Sequence, residues 1–257
     1  MSSPPGPGGP DLAEVLANRR WVRRERPFPH VVARDVFTPG FYAGLDAEFR
    51  RIEASHPEVF RRDMAGYDAS GSDLDRYRDG PLGVFVSRAW HDLIAGVAGV
   101  TATGDVTASL HHHDPRAASG WPHNDLNPGW FADPPPDPGA VRLSSDGPVE
   151  YHRGTRPDGT GAHETIRGVS LLFYLANVPW QRGDGGETGL YRAGRPDALA
   201  AAVPPINNSL VLFECTPFSW HGYLANADTM RNSIVMWLHR PKADVVERWG
   251  EQSIVHW

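Results

Sequence analysis

Ile166-Arg-Gly-Val-Ser-Leu-Leu-Phe-Tyr-Leu175 is long and apolar, as a buried β-strand would be. Shorter strand-like stretches surround it. Asp105-Val-Thr-Ala-Ser-Leu-His111 alternates with a period of two. Thr188-Gly-Leu-Tyr191, Ser209-Leu-Val-Leu-Phe213 and Ser233-Ile-Val-Met-Trp-Leu-His239 follow downstream. Upstream the pattern is helical. Residues 11–26 read as a helix ending in a basic cluster from Arg19 to Arg26, taken as a solvated face. Phe28-Pro-His-Val-Val-Ala33 reads as a short strand. A second helix starts at Thr38, the expected N-cap, with Pro39 in its first turn and Leu45, Phe49 and Ile52 on one face. Residues 62–80 read as loop, and 81–97 resume a helical pattern. Short strands after a helical N-terminal part predict a mainly β fold with N-terminal helices, a jelly roll or sandwich buttressed by those helices.

The 257 residues, 40% of them hydrophobic, suffice for one domain with a full core. The expected layout is a disordered leader over residues 1–10 and a single domain over 11–257. Within it, helical support spans about 11–100 and the jelly-roll core about 104–240. Residues 127–165, rich in Pro and Gly, form an irregular connection long enough to be a lid; a surface insertion is the plain alternative. No apolar run approaches the length of a membrane span, and the N-terminus lacks the pattern of a signal peptide. Cys215 is the only cysteine, so no intrachain disulfide can form and a cytoplasmic location is expected. A net charge of −6 argues against nucleic acid as a partner. Lys242 is the only lysine, which leaves arginine as the cation available to a site. No Gly-x-Ser-x-Gly elbow, phosphate-binding Gly-x-x-x-x-Gly-Lys loop, Cys-x-x-Cys pair or Gly-x-Gly-x-x-Gly turn occurs.

Chemistry concentrates in two short stretches. In Trp121-Pro-His-Asn-Asp125, His123 and Asp125 stand two apart, so in extended chain both address one side. Alone, that pair is a common pattern at a strand end. Ser219-Trp-His-Gly-Tyr223 adds His221, and Met230-Arg-Asn-Ser-Ile234 adds Arg231 ten positions later. Two imidazoles and one carboxylate cap one face of an octahedral iron(II) and leave three adjacent positions for cosubstrate and O₂. A fixed cation nearby suits a dicarboxylate that chelates the metal at one end and needs its other end held.

From about Leu110 to Leu238 the chain resembles the iron(II)- and 2-oxoglutarate-dependent dioxygenases of the prolyl-4-hydroxylase-like type. The resemblance is carried, in order, by His123-Asn-Asp125, Leu171-Leu-Phe-Tyr-Leu-Ala-Asn177, Gly185-Gly-Glu-Thr-Gly-Leu-Tyr191, Ser209–Phe213, His221 and Arg231-Asn-Ser233. It implies a double-stranded β-helix, a cupin-like jelly roll with the metal in its open end. It also implies Fe(II), 2-oxoglutarate and O₂ as cofactors and cosubstrates, with His123, Asp125 and His221 as iron ligands. Arg231 would pair with the distal carboxylate of 2-oxoglutarate, and Ser233 would add a hydrogen bond.

Two departures stand out. Many relatives carry lysine where this chain has Arg231. A tyrosine common before the first ligand is missing from Leu110-His-His-His-Asp114, so one of His111, His112 and His113 replaces it or all three are an exposed strand end. The presence of Asp125 favours hydroxylation or another oxidation over halogenation, since related halogenases have a small residue there. Trp121, Arg167, Tyr174 and Thr188 are the candidate substrate-binding residues. The plainer readings are core aromatics and, for Arg167, a surface ion pair. Residues 127–165 carry six Asp/Glu against three Arg, a hint of a polar or cationic ligand.

The expected function is oxidation of a C–H bond in a small polar metabolite such as an amino acid, peptide or amino-sugar, in bacterial specialised metabolism. No nucleic-acid or membrane partner is expected, and the oligomeric state is open. The alternatives are a peptidyl hydroxylase of the prolyl-hydroxylase type, or a noncatalytic cupin-like module that binds a metal or sugar.

Overall fold

The computed structural model describes residues 10–17, 19–62 and 67–256; most of the expected leader, residues 1–9, lies outside them. The N-terminal part comprises α1 (Leu12–Val15), β1 (Val22–Arg24), β2 (His30–Ala33), α2 (Pro39–Ser55), β3 (Ser70–Asp73) and α3 (Arg88–Ala98). The remainder is mostly strand: β4 (Asp105–His113), β5 (Pro128–Ala132), β6 (Arg142–Leu143), β7 (Ala162–Tyr174), β8 (Thr188–Tyr191) and β9 (Leu199–Val203). β10 (Ser209–Glu214), β11 (His221–Tyr223) and β12 (Arg231–Pro241) complete it, and α4 (Lys242–Trp249) packs behind.

The strands form a double-stranded β-helix. One sheet runs β1-β2-β10-β7-β12-β4-β3, with β5 added to β7 and β6 to β4; the other is β11-β8-β9. Successive residues of β7 point to opposite faces. Leu171 and Phe173 join the helical core with Leu45, Phe49, Ile52, Phe85, Trp90 and Ile94. Leu172 and Tyr174 face inward, packing with Val211, Phe213 and Val235 against Leu190 and Val203 of the small sheet. Each such side chain removed from water contributes roughly 1.5–3 kcal/mol. The helices thereby fix the back of the large sheet, and its front is free to build a site.

The helical segments follow local chemistry. In α2, Leu45, Phe49 and Ile52 are fully buried, and Pro39 opens the helix. Thr38 caps it only through backbone, its carbonyl accepting the Tyr42 N–H at 2.9 Å. The stretch after Pro81 is a 3₁₀ turn to Val86; α3 then starts behind Ser87, whose hydroxyl accepts the Trp90 N–H at 3.3 Å, and stops at Gly99, φ 71°.

Three expectations need correction. The helix expected over 11–26 is only α1; the basic stretch is β1, an edge strand paired with β2. Charged side chains suit an edge, where they discourage further pairing. The loop expected over 62–80 contains β3, paired with β4. The connection 127–165 is not irregular throughout, because β5 pairs with the start of β7 and β6 with β4.

One irregularity in β7 positions the site. Trp237 lies opposite Ser170 and Leu238 opposite Val169, but His239 lies opposite Arg167. Gly168 is thus the extra residue of a β-bulge. Strict alternation from Tyr174 would send Arg167 to the helical face; the bulge returns it to the inner one. On the outside, the Gly168 carbonyl accepts from Cys215 N at 2.9 Å and Arg240 Nη2 at 3.0 Å, which holds the bulge.

Candidate active site

His123 and His221 meet across an antiparallel bridge. Each backbone N–H donates to the other's carbonyl, at 2.9 and 2.8 Å. Their Nδ1 atoms lie 3.0 Å from the Trp121 carbonyl and 3.1 Å from the Ser219 carbonyl. A carbonyl can only accept, so Nδ1 carries a proton in both rings, and Nε2 is the nitrogen left to serve a metal. Both Nε2 atoms face the Asp125 carboxylate, His221 at 3.2 Å and His123 at 3.8 Å. One ligand atom from each of the three residues lies within 4.8 Å of the others, and all three residues are buried.

The electrostatics suit a cation. Burial works against charge on Asp125, but attraction to His221, a hydrogen bond to it, and the further pull of His123 and Arg167 outweigh that, holding the carboxyl well below the usual carboxylate range. Burial, then His221, lowers His123 to about 4. Neutral imidazole and ionised carboxylate are the donor forms a metal requires.

The Asp125 carboxylate is also held from its other side. The Trp237 indole N–H donates to Oδ2 at 2.8 Å, and Arg167 Nη1 reaches Oδ1 at 3.5 Å. The Arg167 guanidinium lies 3.9 Å from the Trp237 ring centroid, and its Nε donates to the Tyr151 hydroxyl at 3.2 Å. Tyr151 Oη stands 3.1 Å from His239 Nε2.

A second group lies between the sheets. β11 and β8 direct His221, Tyr223 and Thr188 inward, and β12, β7 and β4 direct Arg231, Ser233, Tyr174, His111 and His113 toward them. Arg231, 3% exposed, donates from Nη1 to Ser233 Oγ at 3.0 Å and from Nη2 to Thr188 Oγ1 at 3.2 Å. The rings of Tyr174 and Tyr223 lie 5.1 and 5.6 Å from its guanidinium carbon. Tyr174 Oη is 2.7 Å from Thr188 Oγ1. Among the described residues no carboxylate pairs with Arg231, and its buried Nε has no hydrogen-bond partner. A buried, unpaired guanidinium is costly unless an anion meets it. Gly185 and Gly186, at φ 75° and 77°, make the turn that brings β8 alongside; a Cβ on Gly185 would stand 2.1 Å from the Ala225 carbonyl.

The three adjacent histidines divide by alternation. His112 points outward, 2.9 Å from Glu53 and 3.2 Å from Asp114. His113 points inward with its ring stacked on Tyr223 at 3.7 Å and Nδ1 2.9 Å from the Asp68 carbonyl. His111, opposite Ser233, also faces inward and makes no hydrogen bond among the described residues. Burial, then Arg231 and Arg167, lowers it to about 4, so it is neutral at neutral pH.

Reading the sequence missed Tyr67. From the stretch expected to be plain loop, its ring lies 5.7 Å from that of His123, and its hydroxyl accepts the Tyr223 N–H at 2.7 Å. It thus bridges the triad to the Tyr223 that covers Arg231. Gly120 makes room for it: a Cβ there would stand 2.1 Å from the Tyr67 ring. No local pattern around Tyr67 signals this.

Among the candidate substrate residues, only Trp121 is well exposed, at 37%, with its ring 4.8 Å from His123. Tyr174 and Thr188 are buried around Arg231. Arg167 is buried beside Asp125, not in a surface ion pair.

The model of the 2OG-Fe(II) oxygenase superfamily matches residues 140–239, a stretch that includes His221, Arg231 and Ser233 and starts after Asp125. No curated protein gave a match. Among solved structures, the chain is similar to a prolyl-4-hydroxylase from Pseudomonas putida, with 17% identity, TM-score 0.55, and coverage of 82% of this chain and 92% of that one. It is likewise similar to a prolyl hydroxylase from Trichoplax adhaerens, solved with a hypoxia inducible factor oxygen degradation domain peptide fragment, at 17% identity and TM-score 0.55, covering 82% and 83%. A third similar structure is SnoK, a non-heme α-ketoglutarate-dependent carbocyclase from nogalamycin biosynthesis, at 13% identity and TM-score 0.50, covering 82% and 79%.

Proposed function

We propose that this chain, whose residues 140–239 match the 2OG-Fe(II) oxygenase superfamily, is such an oxygenase, that it oxidises a C–H bond of a small polar metabolite and that His123, Asp125 and His221 hold the iron. The family's cofactor set is Fe(II), 2-oxoglutarate and O₂. The reading rests above all on Arg231: a buried guanidinium without a carboxylate, packed against β11, the strand that carries His221 of the buried His-Asp-His group. A dicarboxylate supplies what each lacks. Its distal carboxylate pairs with Arg231, with Ser233 and Thr188 keeping the guanidinium in plane. When bound, the iron supplies the oxidative chemistry, driven by decarboxylation of 2-oxoglutarate.

The protein's own residues orient and exclude. Tyr174 and Tyr223 wall the guanidinium from water and strengthen its charge pairing. His111 is the histidine assigned to the cosubstrate, because His113 is committed to Asp68 and Tyr223 while His112 faces away. Trp121, exposed beside His123, is the residue assigned to the substrate. The acidic balance of residues 127–165 supports a polar or cationic ligand, and the likeness to SnoK supports a place in specialised metabolism. That segment is also the proposed lid of a single domain. No helix among the described residues is long and apolar enough to cross a membrane.

The test is anaerobic addition of Fe(II) and 2-oxoglutarate to the folded protein. A weak visible charge-transfer band is the expected result, and its absence would count against the iron site. Succinate release across a panel of amino acids, amino-sugars and short peptides then identifies the substrate class. Turnover with peptides alone would favour a peptidyl hydroxylase.

A further inference from the structure

We propose that Arg167 and Trp237 form a two-sided clamp that sets the orientation of Asp125 for metal binding, with the Gly168 bulge delivering one jaw. The inference rests on His123, Asp125 and His221 being the metal ligands.

A carboxylate that gives one oxygen to a metal can still swing about its own bond. At 1% exposure Asp125 has little water to satisfy or restrain it, so donors from the protein must do so. The two donors have different character. Trp237 offers one short, directional N–H to Oδ2. Arg167 stands at 3.5 Å from Oδ1, at the limit of a hydrogen bond, and acts mainly through charge.

Each jaw is itself fixed. The indole of Trp237 lies under the buried Arg167 guanidinium at 3.9 Å, a cation–π contact. Tyr151 takes the Nε–H of Arg167, and His239 and Phe131 pack on Tyr151. The carboxylate therefore meets a rigid frame and not two mobile side chains.

The bulge is what allows this. Trp237 sits on β12 in step with Ser233 and Val235, so ordinary alternation brings it inward. Arg167 is out of step by one with Ser170, Leu172 and Tyr174, and reaches Asp125 only because Gly168 is inserted. Re-aiming a buried arginine in this way makes sense where its charge is needed at one point. With Tyr151 on one edge and Asp125 on another, Arg167 is a positioning residue and not a substrate contact.

The experiment uses Mn(II) as the probe, titrated into metal-free full-length protein and followed by the EPR signal of free Mn(II). The variants are Trp237→Phe, which keeps the ring under Arg167 and removes only the N–H, together with Arg167→Met, Arg167→Lys and the double variant. Each single loss should weaken Mn(II) binding by about 10–100-fold, as removal of outer-shell partners does. The double variant should lose less than the product of the singles, since both act on one carboxylate. Arg167→Lys should recover part of the loss. 2-Oxoglutarate affinity at saturating metal should change by less than about threefold, because the clamp does not touch Arg231. Wild-type Mn(II) affinity in folded Trp237→Phe and Arg167→Met would overturn the clamp. So would a loss confined to the substrate KM, which would make Arg167 a substrate contact. Failure of the unsubstituted protein to bind Mn(II) would overturn the metal centre, a result distinct from either.

Discussion

The backbones of His123 and His221 hold each other by two hydrogen bonds, and their rings stand 4.5 Å apart as a consequence. The pairing that builds the candidate metal site thus needs neither imidazole. His221→Ala should fold with nearly unchanged thermal stability and yet bind Mn(II) more than about 100-fold more weakly, since loss of an outer-shell partner alone costs about 10–100-fold. Mn(II) titration beside a thermal melt separates the two effects; intact affinity would remove His221 from the site.

Arg231→Ala should weaken 2-oxoglutarate binding by roughly 2–5 kcal/mol, the cost of breaking a buried charge pair. Arg231→Lys should fall between, because an ammonium keeps the charge but cannot span Ser233 and Thr188 as the guanidinium fork does. Titration of the Fe(II)-loaded protein with 2-oxoglutarate measures both. Unchanged affinity in Arg231→Ala would reassign the anchor.

Gly120→Ala should cost roughly 1–3 kcal/mol, as overpacking does, because its Cβ would overlap the Tyr67 ring. Tyr67→Phe should cost about as much by a different route, leaving the Tyr223 N–H without its acceptor. Chemical denaturation measures both. A neutral Gly120→Ala would mean that Tyr67 does not pack where the structure has it.

The metal-free protein should lose stability as pH falls below about 6.5, the ordinary histidine value. Burial, then Arg231, lowers His113 to about 2, and burial and Arg231 lower His111 to about 4. Between those values and 6.5 the unfolded chain takes up protons that the folded one refuses, so acid favours unfolding. His112 works the other way. Burial opposes its charge, but Glu53, Asn232 and Asp114 raise it, and that contribution is full in acid and lost as pH rises through its folded value. His30, His91, His123, His152 and His239 are lowered as well, so seven lowered histidines stand against one raised, and Tm should fall by on the order of 10 °C or more from pH 7 to pH 5. His113→Phe should flatten the profile; an unaltered slope would show that His113 does not govern it.

The strands and the three candidate ligands, which the structure brings together, were legible because each depends on local pattern. Alternation marks β4, an apolar run marks β7, and His123 with Asp125 and His221 with Arg231 are short-range pairs. What alternation cannot see is where it breaks. Arg167, at the start of a strand, read as a substrate contact or a surface ion pair; strict alternation from Tyr174 would turn it to the helical face, and only Gly168, an unremarkable glycine inside a strand, hints at a bulge. Tyr67 was hidden for another reason. Its role comes from a chain crossing decided by tertiary packing, in a stretch whose Gly and Asp content reads as loop. The segment with Arg19–Arg26 misled in the opposite sense: its charges signal a solvated face equally well on a helix and on an edge strand.

Arg240 grips the Gly168 carbonyl from behind while Glu214 and the Trp249 ring hold Arg240 in turn. Glu214 is shared with Arg248 of α4. The last helix, far from any chemistry, therefore behaves as a keystone: loosening it would be felt, through a single peptide carbonyl, at the carboxylate of the candidate metal site.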